Sequence, residues 1–272
     1  MNKELFYISL FNNKHIGDDA AVVDGRVYSA DAFCENIHFK REWMSLERIA
    51  AKAVAVNVSD AVAMHATPRY ALVSIAIPKA FTPAQMEELA KGFGSACEEY
   101  GCEIIGGDTV ASDRLDISIA LVSATKRPIY RKPLRERYLL AYTGDLGSVA
   151  KDLRRLLRGG RISPRSKFVS PKLREGFMRR AARHIKAAMD ISDGLFDDLA
   201  KMTRLNRKGV RFLSPIPKAK GCSGEEYELL FAFDPRHKRS ILARARAART
   251  PVTIFGQVER GRFRNICKPN HF

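Results

Sequence analysis

The sequence has no long apolar stretch. None of its 272 residues lies in an apolar run of about 18, so no transmembrane helix is expected. Residues 1–6 also lack the apolar core of a secretory signal peptide. We therefore expect a cytoplasmic protein that has no membrane partner.

Cysteine and histidine are scarce and scattered. The five cysteines form no Cys-x-x-Cys pair, and the sequence has no cluster of His and Cys residues. This pattern argues against a zinc or iron centre. It is typical of a cytoplasmic protein whose thiols are reduced.

Several common catalytic motifs are also missing. The chain has no Gly-x-Gly-x-x-Gly, no Gly-x-Ser-x-Gly, no His-Glu-x-x-His and no Walker lysine motif. Rossmann dehydrogenases, serine hydrolases of the α/β type and zinc proteases are therefore poorly supported.

Charge divides the chain into two unlike halves. Residues 1–125 carry 11 Lys and Arg against 17 Asp and Glu, whereas residues 126–272 carry 36 against 13. With this length and a hydrophobic content of 46%, two domains are expected, 1–128 and 129–272. A nucleic-acid-binding protein that uses the basic half is one alternative function. Aromatic residues are sparse within 151–186, which gives base stacking little support, so a nucleic acid is not the expected partner.

Hydrophobic patterning predicts a mixture of helices and strands. The first half has the order β-β-α-β-α-β-β, with helices over 45–65 and 82–100, and favours a mainly antiparallel sheet. The second half alternates further strands and helices. The predicted fold class is therefore α+β or α/β, with an N-terminal α+β domain and a C-terminal α/β domain.

Carboxylates recur at the ends of the predicted strands. A hairpin turn at Asp24-Gly25 would bring Asp19 close to Asp31. Asp60 interrupts an Ala- and Val-rich helix, where a buried carboxylate needs a cation or a hydrogen-bonding network. Two like charges held close together likewise favour a bound cation or proton.

Glycine turns accompany several of these carboxylates. Gly106-Gly107-Asp108-Thr109 follows a predicted strand, and Gly-Gly is expected to mark the strand end. Asp190-Ile191-Ser192-Asp193-Gly194 leads into another helix, and 144–150 forms a glycine turn that could hold a phosphate. Oxygen ligands beside such turns suit Mg²⁺ and nucleotide phosphates.

Taken in order, these motifs resemble the thiamine-monophosphate kinases, members of the aminoimidazole-ribonucleotide-synthetase-like superfamily. The resemblance extends over about residues 15–258. The matching segments are Ile16-Gly17-Asp18-Asp19-Ala20, Ser29-Ala30-Asp31, His38-Phe39, Lys52 to Asp60, Gly106-Gly107-Asp108-Thr109, Thr143-Gly144, Asp190 to Leu195 and Gly224 to Leu229.

The resemblance implies a two-domain homodimer. It also implies ATP-dependent phosphorylation of thiamine monophosphate to thiamine diphosphate, by direct in-line transfer with several Mg²⁺ ions. By position, the implied metal ligands are Asp19, Ser29, Asp31, Asp60, Asp108, Asp190 and Asp193. The implied ATP contacts are Gly107, Asp108, Arg131 and Ser192, the thiamine end is assigned to His38 and Glu225, and the catalytic set is Asp60, Asp108, Arg131 and Asp193.

Two departures from the family pattern concern the site. Ala30 replaces a threonine beside the implied metal ligands, so one hydroxyl is missing. At the C-terminus, residues 269–272 lack the aromatic residue that would cover the thiamine ring, unless Phe272 or another segment supplies it.

Other members of the superfamily fit this sequence less well. A selenophosphate synthetase would need a reactive cysteine or selenocysteine near the N-terminus, and none precedes Cys34. The hydrogenase-maturation dehydratase ends in a terminal cysteine, whereas Cys267 lies five residues short of the end. An aminoimidazole-ribonucleotide synthetase fits the 190–194 and 224–229 segments less well. A pseudoenzyme that binds nucleotide without turnover is less well supported, because clustered carboxylates without a metal would repel one another.

Overall fold

The computed structural model describes residues 3–11 and 13–268. The helices are α1 (Lys3–Ser9), α2 (Leu46–Ala63), α3 (Pro83–Tyr100), α4 (Ser148–Leu157), α5 (Glu175–Ala181), α6 (Leu195–Asn206), α7 (Lys218–Gly221) and α8 (Lys238–Ala247). The strands are β1 (Ala21–Val23), β2 (Arg26–Cys34), β3 (Thr67–Pro78), β4 (Glu103–Ser112), β5 (Asp116–Ala124), β6 (Leu139–Thr143), β7 (Ile185–Asp190), β8 (Gly209–Phe212), β9 (Leu229–Phe233) and β10 (Val252–Glu259).

The first sheet comes from the N-terminal half and has the order β1-β2-β5-β3-β4. Its pairs are antiparallel except β3 with β4, which is parallel. The mainly antiparallel sheet predicted for this half is therefore present. Helix α2 packs against β2, β3 and β5, so residues on α2 lie close to the strand ends.

Local sequence explains where α2 begins. The Ser45 side chain accepts a hydrogen bond from the Arg48 backbone N–H at 3.3 Å, which satisfies one of the unpaired amides at the helix start. Small residues such as Ala50, Ala53 and Ala61 are fully buried and allow the helix to approach the sheet closely. The predicted helix over 45–65 is thus observed, with its polar residues facing inward.

The second sheet has the order β7-β9-β6-β10-β8, and its pairs are antiparallel. Helices α4, α5 and α8 share a hydrophobic cluster with Phe231 and Phe233 on one face of this sheet. Helix α6 packs with Leu230 and Ala232 on the other face. The first of these clusters also contains α2, so apolar packing is continuous between the two halves. The domain division at residue 128 stays a prediction.

Strand β4 differs from its predicted form. Gly106 and Gly107 do not end the strand, which continues to Ser112 beside its parallel partner β3. A Cβ on Gly107 would lie 1.8 Å from the carbonyl oxygen of Val73, so glycine is required by the neighbouring strand rather than by a turn. Asp108 therefore lies within an exposed edge strand.

The cysteines also depart from expectation. Cys222 and Cys267 form a disulfide with their Cα atoms 5.5 Å apart, although 45 residues separate them. The fold returns the segment after β10 to the end of α7, a proximity that no local pattern reveals. The expectation of five reduced thiols is therefore wrong, and only Cys34, Cys97 and Cys102 are free among the described residues.

Two further expectations concern membranes and the C-terminus. No helix in the described part of the chain combines the length and the hydropathy needed to cross a membrane. The altered C-terminal pattern, 269–272, lies outside the described residues.

Candidate active site

A cavity of about 310 Å³ lies where α2, β2 and the end of β7 meet. Many of the residues assigned from sequence line it together: Asp19, Asp31, His38, Asp60, Arg131, Asp190, Ser192, Asp193 and Glu225. They come from both halves of the chain. The fold thus gathers segments that are more than 200 residues apart in sequence.

Three carboxylates form the centre of the cavity. One oxygen from each of Asp19, Asp60 and Asp190 lies within 4.8 Å of the other two. Asp19 precedes β1, Asp60 lies on α2 and Asp190 ends β7. Three negative charges this close repel one another strongly unless a cation or protons lie among them.

Polar residues on α2 hold the neighbouring groups in place. The Asn57 side-chain oxygen accepts the backbone N–H of Asp31 at 3.1 Å. The Ser59 hydroxyl donates to Asp190 at 2.8 Å. Both side chains are almost fully buried, and these bonds satisfy the polar groups that interrupt the apolar helix.

The pKa values of these carboxyls report their burial. Desolvation, followed by the charge of nearby aspartates, raises the pKa of Asp60 and of Asp190 well above the usual value. Burial raises the pKa of Asp31 to about 6, although a hydrogen bond with Asp60 opposes the shift. These groups therefore keep their protons to a higher pH than an exposed aspartate does, and a bound divalent cation would displace those protons.

Arg131 is the cation nearest to Asp19. Its guanidinium donates to one oxygen of Asp19 at 3.1 and 2.5 Å, and its backbone N–H donates to Asp18 at 2.6 Å. Burial still raises the pKa of Asp19 overall, because the desolvation penalty outweighs the attraction of Arg131.

Two buried oxygens on the predicted metal ligands have no hydrogen-bond partner among the described residues. They are the second carboxylate oxygen of Asp19 and the hydroxyl oxygen of Ser29. Unpaired buried oxygens beside clustered carboxylates are the donors that a hard divalent cation uses. The residues present therefore fit Mg²⁺.

A second acidic group lies at the start of α6. Asp193, Asp197 and Asp198 surround the ammonium of Lys201, which hydrogen-bonds to Asp193 and to Asp198, the latter at 3.2 Å. Burial raises the pKa of Asp198 to about 7. Lys201 pairs with all three carboxylates of this group, whereas in the central group Arg131 pairs with Asp19.

Sequence reasoning missed Lys201, although it lines the cavity. The available signal was its spacing: Lys201 lies three residues after Asp198 and four after Asp197, positions that meet on one helix face.

Glu225 is tied to the N-terminal half through a buried lysine. The Lys52 ammonium lies 2.6 Å from a Glu225 oxygen and 4.1 Å from the ring centre of Phe168. Only 1% of the Lys52 side chain is exposed, against 24% for Glu225. Lys52 lies within a segment quoted for the family resemblance, but it was not assigned a role.

His38 also lines the cavity. Its Nδ1 accepts the backbone N–H of Cys34 at 3.0 Å, and its ring stacks on Phe33 with the centroids 5.5 Å apart. An accepting Nδ1 leaves Nε2 as the N–H of the neutral ring.

Three predicted site residues, Ser29, Gly107 and Asp108, do not line the cavity. Ser29 is buried on β2, two residues before Asp31, while Gly107 and Asp108 lie on β4 at the opposite edge of the sheet. Asp108 pairs with Ser74 on β3, and β5 separates β3 from β2. Three strand spacings, roughly 14 Å, thus separate Asp108 from β2.

The glycine turn before α4 is already occupied by protein groups. The Gly147 N–H donates to Glu226 at 2.6 Å, and the Ala150 N–H donates to Ser223 at 3.1 Å. The phosphate-holding role considered for 144–150 is therefore not supported by this geometry.

The comparisons with known proteins point to one family. Residues 17–125 match the N-terminal domain of AIR synthase related proteins. Thiamine-monophosphate kinase from Nitrosopumilus maritimus is 33% identical over 240 residues, which span 80% of this chain and 77% of the relative. The chain belongs to the thiamine-monophosphate kinase family.

Solved structures of family members have the same fold. AaThiL complexed with AMPPCP and TMP matches with a TM-score of 0.84 at 26% identity, over 96% of this chain and 90% of that chain. Thiamine monophosphate kinase from Aquifex aeolicus matches with a TM-score of 0.82 at 28% identity, over 96% of each chain. The predicted family and mixed α and β fold class are confirmed.

Proposed function

We propose that this protein catalyses ATP-dependent phosphorylation of thiamine monophosphate to thiamine diphosphate. The similarity to AaThiL complexed with AMPPCP and TMP carries the proposal, because an ATP analogue and the acceptor are bound to that protein. The carboxylate cluster gives this chain a site of matching chemistry.

Mg²⁺ would be held chiefly by Asp19, Asp60 and Asp190. Asp31, Ser29 and Asp193 lie around this centre and complete the proposed ligand set. When bound, the cations would neutralise phosphate charge during transfer between two anions. Asp108, also assigned to the metals and to ATP, needs the second copy considered below.

The chain's own groups bind and orient the phosphates. Arg131 lies beside Asp19 with 19% of its side chain exposed, so its guanidinium can face an anion in the cavity. Ser192 and Gly107 are the further ATP contacts that the family pattern assigns. Together with Asp60, Asp108 and Asp193, Arg131 forms the proposed catalytic set.

No general base is required by this chemistry. The acceptor is a phosphate monoester, whose second pKa near 6 leaves it mostly ionised at neutral pH. Its oxygen would attack the γ-phosphorus of ATP, and ADP would leave with the bond electrons. A covalent phosphoenzyme is not expected, so detection of a phosphorylated protein during turnover would contradict direct transfer.

His38 and Glu225 are proposed to contact the thiamine end of the acceptor. Both line the cavity, and each accepts a hydrogen bond from a neighbouring residue, His38 from Cys34 and Glu225 from Lys52. Thiamine carries a positively charged thiazolium ring, which suits the carboxylate of Glu225.

A homodimer is proposed on the basis of the first sheet. Residues Glu103–Ala111 of β4 are exposed, including Ile105 at 53% and Val110 at 51%. Tyr28, Tyr70 and Leu72 on neighbouring strands are each about two-fifths exposed. An apolar sheet face with an open edge is a surface that a second copy would cover. This arrangement would also allow Gly107 and Asp108 to take part in a shared site.

The test is a direct assay of product. Purified protein with ATP, MgCl₂ and thiamine monophosphate should form thiamine diphosphate, separated and quantified by chromatography. Thiamine, which lacks the acceptor phosphate, should give no product under the same conditions. ATP binding without any thiamine diphosphate would overturn the proposed acceptor and favour another superfamily reaction.

A further inference from the structure

We propose that the outer surface of α4, α5 and α8 binds the sugar–phosphate backbone of a nucleic acid duplex. These helices lie on the same side of the second sheet, because Leu156, Phe177 and Ile241 belong to one apolar cluster beneath them. We call the solvent-facing side of the three helices the basic face.

The basic face is defined by its exposed cations. They lie on the three helices and on the residues that directly follow them: Lys151, Arg154, Arg155, Arg158, Arg161, Arg165, Arg179, Arg180, Arg183, Lys238, Arg239, Arg246 and Arg249. Within the described chain, Arg179 is the one member that forms an ion pair, at 3.9 Å from Glu175. The charge of the other members is therefore uncompensated, which attracts a polyanion.

Helix α4 provides the most concentrated part of this surface. Lys151, Arg154, Arg155 and Arg158 are spaced three or four residues apart, so they form one stripe along the helix. The stripe is about 10 Å long at 1.5 Å per residue. One strand of a duplex presents a phosphate about every 3.4 Å of axis, so the stripe spans about three phosphates.

The stripe borders a concave surface. A pocket of about 450 Å³ is lined by the four cations together with Asp152 and Gly160. The Gly160 N–H donates to the Arg155 carbonyl at 2.9 Å, and a Cβ there would lie 2.7 Å from the Arg155 Cγ. Glycine at this position therefore lets the Arg155 stem fold back and keep the pocket open.

The side chains around the cations favour phosphate contacts over other anionic partners. Among the described residues of the three helices, Leu157 is the large apolar side chain that is strongly exposed, at 63%. A membrane-binding helix presents a row of such residues to insert between lipids. No aromatic side chain of these helices is exposed, so stacking on single-stranded bases is not supported.

This surface is separate from the kinase cavity. None of the described cations on the basic face lines the cavity that holds Asp60 and Asp190. Binding at the basic face therefore concerns a second property of the chain, and its failure would leave the proposed kinase reaction untouched.

The experiment measures the salt dependence of duplex binding by the full-length protein. A fluorescent DNA duplex of about 20 base pairs is titrated at several KCl concentrations between about 50 and about 200 mM. Two triple variants are compared: Arg154→Gln, Arg155→Gln, Arg158→Gln on the face, and Arg26→Gln, Lys79→Gln, Lys126→Gln elsewhere. All six side chains are exposed, and each variant removes the same charge. Thiamine diphosphate formation confirms that each variant is folded.

The proposal predicts that log K falls with log [KCl] with a slope of about −4 or steeper for the wild type. For the face variant, the magnitude of that slope should decrease by about two to three, and binding should be about tenfold weaker. The control variant should match the wild type. Equal losses in both variants would assign binding to overall charge and overturn the proposal. Absence of duplex binding, or binding to anionic phospholipid vesicles alone, would also overturn it.

Discussion

Lys52 is a buried residue that holds Glu225, the carboxylate proposed to contact the thiamine end of the acceptor. Its ammonium is bonded to Glu225 and lies over Phe168, so it fixes a carboxylate that comes from the other half of the chain. Glu225 also has a positive φ of 54°, a backbone conformation that side chains other than glycine rarely adopt. Its carboxylate position is thus determined by neighbours rather than by local preference.

Lys52→Met keeps the unbranched apolar stem of the side chain and removes the charged ammonium group. We predict that the KM for thiamine monophosphate rises about tenfold, equivalent to about 1.4 kcal/mol, because Glu225 loses its fixing partner. The KM for ATP should stay close to the wild-type value. Steady-state kinetics with each substrate varied in turn would measure both.

Glu225→Gln and the double variant serve as controls for Lys52. If Lys52 acts through Glu225, the double variant should be no worse than the more impaired single variant. Additive losses, or an equal rise in the KM for ATP, would contradict the positioning role.

At the same scale, the sequence predicted some site residues better than others. Asp60 stands out because a carboxylate inside an Ala- and Val-rich helix needs a partner, and the structure places it in the central cluster. Lys201, unlike Asp60, is not a charged residue within an otherwise apolar segment, so the local sequence does not single it out. Its approach to Asp193 depends on the path of the chain between β7 and α6, which residue patterns alone do not fix.

At the scale of elements, β4 shows how a partner strand changes the meaning of a glycine pair. Gly-Gly in a sequence usually indicates a turn, yet here the parallel strand β3 passes so close that no side chain fits at Gly107. Most other helices and strands follow from local patterns. The length of β4 does not, because it depends on Val73 of β3, which lies 34 residues before Gly107 in the sequence.

Gly107→Ala is predicted to destabilise the fold. The new methyl group would overlap the Val73 carbonyl, so β4 must shift from β3, at a cost of about 3 kcal/mol. Chemical denaturation would show a lower free energy of unfolding. Gly94→Ala is the matched control: it lies within α3 with open space around it and should stabilise by about 1 kcal/mol. Equal stability of Gly107→Ala and wild type would contradict this account of β4.

At the scale of the whole molecule, the two halves meet around buried negative charge. Asp31, Asp60 and Asp190 have raised pKa values, chiefly because burial disfavours their charged forms. A carboxyl whose pKa is raised on folding contributes stability that is fully present below its unfolded pKa, near 3.9. That stability is lost as the pH rises through the folded pKa, about 6 for Asp31.

The contribution of these three carboxyls should therefore make the metal-free protein less stable at about pH 8 than at about pH 5. Added Mg²⁺ replaces the protons, so its stabilising effect should grow over the same interval. Thermal unfolding with and without MgCl₂ at both pH values measures this difference. A Mg²⁺-induced shift in Tm that is equal at both pH values would contradict the metal site.

At this scale, the Cys222–Cys267 disulfide and the basic face could not be predicted from the sequence. The excess of cations in residues 126–272 is visible in the sequence, but their collection on three helices is set by how those helices cover one face of the sheet. The two cysteines meet because the chain returns after β10 to α7. Neither the cysteine pairing nor the grouping of the cations follows from a local sequence pattern.

The most direct test of the central claim measures thiamine diphosphate formation against Mg²⁺ concentration for the wild type and Asp60→Asn. The substitution preserves the size of the side chain and removes one charge from the three carboxylates that form the proposed metal site. We predict Mg²⁺-dependent product from the wild type and a loss of at least about 100-fold in kcat for the variant. Product formation at the wild-type rate by Asp60→Asn, or by the wild type without a divalent cation, would contradict the account.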